Sequence, residues 1–347
     1  MRLSRLLPAL LIAAGLALPA AAECVGRNLL EALPSKSQAE LRAAAERVPY
    51  HHGLFWQAVK GDQRITLIGT YHFDDPRHDL TLAQFGPDLD TAGALLVEAG
   101  PKEEARLADA MRSDPALIMD ATGPTLPERM SEDDWEALWK AMEVRGIPAV
   151  VTSRMRPWYV SVLLSISPCM LKQVRQSGET GGLDHLLVQR AEKSGVPVKA
   201  LEPWDTVFSL FDGMSPGEEI DMIRAAMPAA EYADDYAVTL TDAYFAGDSW
   251  LIWEFGRFDA YRNSGLSRAE VDRQVEFAQR TLMDQRNRHW IGPLEKAAAQ
   301  AARQGKGIVA GFGALHLAGE GGVLSLLGKS GWTITQIKPQ GGLANGG

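Results

Sequence analysis

Cysteine is scarce in this chain: Cys24 and Cys169 are the only two among 347 residues. Two thiols can close one disulfide and no more. Long apolar runs are absent after residue 22, so nothing later in the sequence reads as a membrane span. Basic residues are in deficit, 35 Lys and Arg against 44 Asp and Glu, for a formal net charge of -9. The lack of a basic cluster argues against nucleic acid and anionic lipid as partners. No Pro/Ser-rich linker divides the chain, which argues for one domain. A His-Glu-x-x-His helix is missing, so this is not an ordinary zincin. Gly319-Glu320-Gly321-Gly322 lacks a following Gly-Lys-Ser/Thr, which leaves a phosphate cradle poorly supported.

What remains is a globular composition, 46% apolar and 23% charged, ample for a core. Residues 1–22 read as a signal peptide. Arg2 and Arg5 form a basic start, Leu6 to Leu18 an apolar stretch, and Ala20-Ala21-Ala22 a small-residue cleavage site. Glu23 would begin the mature chain. Glu23 also stands where a lipobox needs a small residue, which argues against a lipid anchor on Cys24. An exported chain meets an oxidising compartment, most simply a bacterial periplasm, and a Cys24–Cys169 disulfide is then expected to tie the N-terminus to the body.

The chain is organised around two strand ends. Arg64 to Gly69 is a β-branched, apolar run that stops at Gly69-Thr70-Tyr71-His72. Gly307 to Phe312 repeats the pattern and stops at Gly313-Ala314-Leu315-His316. Glycine lets the backbone turn or approach closely, and a strand end is where side chains leave the packed sheet. A lone histidine in such a place is usually structural; the repeat favours two imidazoles on one ion. Two further buried runs end in carboxylates, Leu95-Leu96-Val97-Glu98 and Val198-Lys199-Ala200-Leu201-Glu202. A carboxylate there must be paired, protonated or bound to a cation. Two imidazoles and a carboxylate suit Zn²⁺, Mn²⁺ or Co²⁺. A salt bridge to Arg286 is the structural alternative for either glutamate.

Other polar groups read as structural. His51 and His52 lie on opposite faces of an extended segment and are taken as surface residues. Asp74, Asp75 and His78 are read as loop-solvating, Asp184 as complementing a helix dipole, His185 as exposed or structural, and His289 as incidental. A hairpin across Gly61-Asp62 is expected, as is a Ser131 N-cap. From Ser215 to Ala301 the chain reads as almost wholly helical, with a Ser215-Pro216 start. The expected architecture is α/β (α+β): a mixed central sheet flanked by helices, a single domain over 23–338, a helical cap over about 204–300, and a disordered tail over 339–347.

The chain resembles the TraB/GumN-like family, which includes the Tiki-type metalloproteases. Its mark is a pair of Gly-x-x-His motifs, matched by Gly69–His72 and Gly313–His316. Leu317 to Leu324, Leu95 to Glu98, Gly182-Leu183-Asp184, Val196 to Glu202 and Arg286-Asn287 match in order. Gln285 departs from the pattern, since relatives carry Glu before Arg-Asn. The resemblance implies metal-dependent hydrolysis of a peptide or protein. His72 and His316 would be ligands, and Glu98 a third ligand or the general base with Glu202 the other candidate. Arg286 would steady a carboxylate or an oxyanion. Related ChaN-like proteins imply haem as an alternative, with His72 or Tyr71 as axial ligand. Related erythromycin-esterase-like proteins imply a metal-free hydrolase.

Overall fold

Strand pairing begins at the hairpin that alternation and the Gly-Asp turn predict. β1 (Phe55–Lys60) and β2 (Gln63–Thr70) run antiparallel, with Lys60 opposite Gln63. Gly61 takes the left-handed conformation (φ 62°) that the tight turn requires. The computed structural model describes residues 24–178, 181–211 and 213–339. The expected leader over 1–22 and the tail beyond Pro339 lie outside the described residues.

Among the described residues six strands form one mixed sheet. β3 (Leu95–Val97), β4 (Val198–Ala200), β5 (Ile308–Gly313) and β6 (Thr333–Gln336) join β1 and β2 in the order β4-β3-β5-β2-β1-β6. The four strands from β4 to β2 are mutually parallel. Covered on both faces, β5 and the end of β2 are continuous apolar runs, not alternating ones. β1 and β6 close the other edge antiparallel and carry the alternation of a half-exposed strand.

Helices cover both faces. Trp290, Leu294, Ala298 and Ala301 of the Gln285–Ala302 helix pack on Leu67, Ala310 and Phe312. On the other face the His78–Thr91 and Leu183–Lys193 helices bring Phe85, Leu89, Leu183 and Leu187 onto Ile68, Val97 and Val309. Each large apolar side chain so buried contributes about 1.5–3 kcal/mol of transfer free energy. A separate helical core gathers Leu138, Met142, Val160 and Ile223, with Trp135 packed against it. Arg145 sits inside it, with four backbone carbonyls accepting from its guanidinium. Ser131 and Ser215 both cap helices as read from sequence, Ser215 in a full capping box. No helix among the described residues is long and apolar enough to cross a membrane.

One sequence expectation is overturned. His78 is no solvating loop residue: it opens the His78–Thr91 helix and is fully buried. Its Nε2 bonds the Phe73 carbonyl, and its ring packs on Tyr244 and Phe245, partners far away in sequence.

The Cys24–Cys169 disulfide is formed, with the Cα atoms 5.7 Å apart. It fits an exported protein. The N-terminus is also docked by hydrogen bonds: Arg27 and Leu29 backbone N–H groups donate to Asp235 and Thr239 of the Ala233–Phe245 helix. The bridge spans 145 residues. Replacing Cys24 or Cys169 by serine is expected to lower the unfolding free energy by about 2–4 kcal/mol, through the loop entropy returned to the unfolded chain. Urea denaturation of the oxidised wild type and both variants measures this. Equal midpoints would show that docking of the N-terminal segment suffices.

Candidate active site

The C-terminal ends of four parallel strands lie side by side, so the turns that leave them meet at one edge of the sheet. β2 leads to His72, β3 to Glu98, β4 to Glu202 and β5 to His316. This is the crevice in which open α/β sheets bind ligands.

Three glycines shape the crevice, each by a different close approach. A methyl on Gly69 would lie 2.8 Å from Leu317 Cδ1 and 3.1 Å from the Ala314 backbone, so Gly69 admits the turn that carries His316. A methyl on Gly313 would instead lie 3.3 Å from Glu98 Oε1, 3.5 Å from His72 Nε2 and 3.6 Å from His316 Cδ2. Three polar side chains therefore surround one methyl-sized space. The two Gly-x-x-His motifs look alike but are not equivalent, since Gly69 pairs with Phe312 and Gly313 with Thr70. At Gly182 a methyl would lie 2.3 Å from the His72 carbonyl carbon. That contact lets Leu183 N–H donate to the Tyr71 carbonyl and seats the Leu183–Lys193 helix on the strand end.

Each imidazole is held through Nδ1. His72 Nδ1 lies 3.2 Å from Asp184 Oδ1, and His316 Nδ1 lies 2.6 Å from Asn287 Oδ1. The Nε2 atoms face Glu98 and Arg286. This is the pattern of metal-binding histidines, whose second nitrogen is oriented by an outer partner. Asp184 thus does more than complement a helix dipole, the role read from sequence.

Arg286 ties the acids together. It donates to Glu98 Oε2 at 2.6 Å and to both oxygens of Glu202 at 2.6 and 2.8 Å. Glu202 also accepts from Trp290 Nε1 at 2.9 Å. Glu98 Oε1 accepts from Gly313 N–H at 2.7 Å and lies 3.9 Å from His316 Nε2. The two glutamates therefore differ: Glu202 is bound up by Arg286 and Trp290, while Glu98 faces both imidazoles. Arg286 Nη1 is 3.4 Å from His316 Nε2. Among the described residues no three His, Cys, Asp or Glu side chains are grouped as a ready metal cage. His72 Nε2, His316 Cδ2 and Glu98 Oε1 surround the space beside Gly313, with the Arg286 guanidinium hydrogen-bonded to Glu98.

The remaining candidates lie elsewhere. Asp75 pairs with Arg77, Asp74 is exposed, and Tyr71 stacks on Tyr244 with its hydroxyl on Thr241. His52 pairs with Asp248, while Gln285 and His289 are exposed. Sequence reasoning missed Asn287 and Trp290 as site residues. Trp290 follows Arg286 by four residues and Asn287 by three on one helix, which was the available signal. It also missed the π-helix Gln279–Asp284 just before them, an irregularity common at functional sites.

Charge is polarised across the site. Burial pushes the His316 imidazole down against the pull of Glu98; the Arg286 and His72 charges add to burial, and the ring titrates at about 4. Burial alone would raise the Glu98 carboxyl. The charges of His316 when protonated, Arg286 and His72, with the Gly313 N–H, outweigh it and hold the group at about 2. Burial pulls His72 down most strongly, and the Arg286 charge adds to it, although 54% of its side chain is open. The Asp184 hydrogen bond and the Asp184 and Glu98 charges raise it to about 9.

The signs set a pH dependence. The folded pKa of His316 lies below its ordinary 6.5, so the unfolded chain takes up that proton first and stability is lost as pH falls from 6.5 towards 4. Glu98, depressed from 4.5, adds a loss from 4.5 towards 2. His72 acts oppositely: its raised pKa contributes stability below 6.5 that is lost as pH rises through about 9. Between pH 7 and about 4.5 the unfolding free energy is expected to fall on the order of 2 kcal/mol through His316 alone. Urea unfolding at both pH values checks this, with His316→Gln expected to remove most of the slope.

The sequence profile of the TraB/PrgY/gumN family matches residues 54–336, from the residue before β1 to the last of β6. No curated protein and no solved structure matches the chain. The matched span holds both Gly-x-x-His turns, Glu98, Glu202 and Arg286, and the chain belongs to the TraB/PrgY/gumN family.

Proposed function

We propose that the protein is an exported, periplasmic, metal-dependent hydrolase that cleaves a peptide or protein. The observation that carries this reading is the convergence of His72 Nε2, His316 Cδ2 and Glu98 Oε1 within 3.6 Å of one methyl-sized point at Gly313. His72, His316 and Glu98 would hold a divalent transition ion, Mn²⁺, Co²⁺ or Zn²⁺. Such an ion supplies Lewis acidity and a water of lowered pKa.

The chain's own groups divide the remaining work. Asp184 and Asn287 orient the imidazoles. Glu98 stays ionised near neutrality, as a ligand or a base must. Glu202 and Trp290 hold Arg286 so that one guanidinium edge faces His316 and Glu98. From there Arg286 can stabilise negative charge developing on a substrate oxygen.

The proximity of Arg286 to His316 Nε2 also supports a second reading, hydrolysis without metal. In it the neutral His316 would serve as general base, with Arg286 as the electrostatic partner.

Elemental analysis of mature protein, purified from periplasm without chelator or affinity tag, separates the two. Near-stoichiometric transition metal is expected, lost in His72→Ala and in His316→Ala. Gly313→Ala is the sharper variant. Its φ of -48° accepts a side chain, so the fold should survive while the added methyl fills the space between the donors. It is expected to lose both metal and peptide hydrolysis. Glu98→Gln is expected to lower kcat/KM by about 10²-fold or more. Hydrolysis that persists in chelator and without bound metal would sink the metal reading in favour of His316 as base.

A further inference from the structure

The glycine-rich turn after His316 cradles no phosphate motif, yet its backbone is built tightly into the site. A methyl on Gly321 would lie 2.5 Å from Asp284 Oδ1, and one on Gly322 would lie 2.2 Å from the Ala318 carbonyl oxygen. Gly319 takes the left-handed conformation (φ 95°), and its N–H donates to the Pro49 carbonyl at 2.9 Å. The turn is thus wedged against the π-helix and the start of the Gln285–Ala302 helix. There the Gly321 carbonyl accepts from Asn287 Nδ2 at 3.0 Å.

That contact has a chemical consequence. A backbone carbonyl only accepts, so the amide nitrogen of Asn287 must face Gly321. The amide oxygen must then face His316 Nδ1, which lies 2.6 Å away. An amide oxygen also only accepts, so Nδ1 must carry the hydrogen. The other end of the ring makes the same demand. Arg286 Nη1, 3.4 Å from His316 Nε2, only donates, so Nε2 must present a lone pair. Asn287 is 1% exposed, so its amide is closed off from solvent.

We propose that the Gly319–Gly322 turn and Asn287 form a positioning relay that fixes His316 as its Nδ1–H tautomer, with a bare Nε2 aimed at Arg286 and Glu98. Asn287 and Gly321 are positioning residues; neither touches the reacting atoms. The relay's use in catalysis rests on the hydrolase reading above, but its existence does not.

His78 supplies an internal control. Its Nε2 lies 3.0 Å from the Phe73 carbonyl, which demands the opposite tautomer. Long-range ¹H–¹⁵N spectra of metal-free protein at pH 7.5 report both rings without ion or substrate. His316 is expected as Nδ1–H and His78 as Nε2–H. In Asn287→Leu, His316 is expected to shift towards Nε2–H while His78 stays unchanged. Gly321→Ala leaves both side chains in place and is expected to do the same by moving the turn. It stands alone as the test if the leucine variant loses the His78 signal through misfolding. Titration with Co²⁺ alone is expected to show affinity lowered about 10- to 100-fold in the variants. An Nε2–H tautomer of His316 in the wild type, or an unchanged tautomer in a variant that keeps the His78 signal, overturns the relay. A fixed tautomer in a protein that binds no Co²⁺ would uphold the relay and fail the metal reading separately.

Discussion

One guanidinium holds the functional edge of this protein together. Arg286 reaches the carboxylates that end β3 and β4 at once, and its own carbon lies 5.2 Å from the Trp290 ring. Glu98 and Glu202 are only 18% and 11% exposed at their side chains. Two such acids on neighbouring strands repel each other and lose most of their hydration. A lysine could neutralise one; the planar fork of arginine can bond both. Without it two carboxylates would be left buried and unpaired, a loss usually worth several kcal/mol. Arg286 also bridges the ends of β3 and β4, which pair with each other over only three residues.

The arginine is delivered by helix irregularity. The π-helix Gln279–Asp284 shifts the register ahead of the Gln285–Ala302 helix. After the shift Arg286, Asn287 and Trp290 share the face turned to the strand ends. Trp290 is fully buried, and its ring lies 4.5 Å from that of His316. One short stretch of helix therefore anchors both acids, orients one imidazole and fills the core beneath them. Gln285 points to solvent, so the departure from the family pattern at that position removes no partner from this cluster.

The strand ends were legible in the sequence because burial on both faces writes a continuous apolar run that must stop where polar chemistry begins. His72, Glu98 and His316 were found that way; Glu202 was read from the shorter run of β4, an edge strand that is only part-buried. What orients them was not legible. Asp184 reaches His72 across 112 positions, and its place in a helix's first turn already has a sufficient local explanation. Asn287 carries no periodic signal of its own. His78 was misread because Asp74-Asp75-Pro76 looks like a solvated turn, while the aromatic wall that buries it comes from the Ala233–Phe245 helix. The Pro101–Ser113 helix buries none of its residues, so it has no core face to write.

The charge balance of the cluster bears on what it is built to hold. Glu98, Glu202 and Asp184 bring three carboxylates to the site, and Arg286 is the one side chain among them that is cationic at every working pH. Two negative charges are left over. His72 offsets one of them, since the Asp184 hydrogen bond and the Asp184 and Glu98 charges raise it above the usual imidazole range against the pull of burial. On the hydrolase reading proposed above, a divalent cation would offset both. Asp184 then changes partners in charge but not in place: it accepts from the same Nδ1–H, whether the ring is protonated or donates its other nitrogen. His316 needs no such exchange, because its deep burial keeps it neutral throughout. The two histidines are thus asymmetric, one open and one buried, and on the proposed reading His72 would be the one a cation meets first.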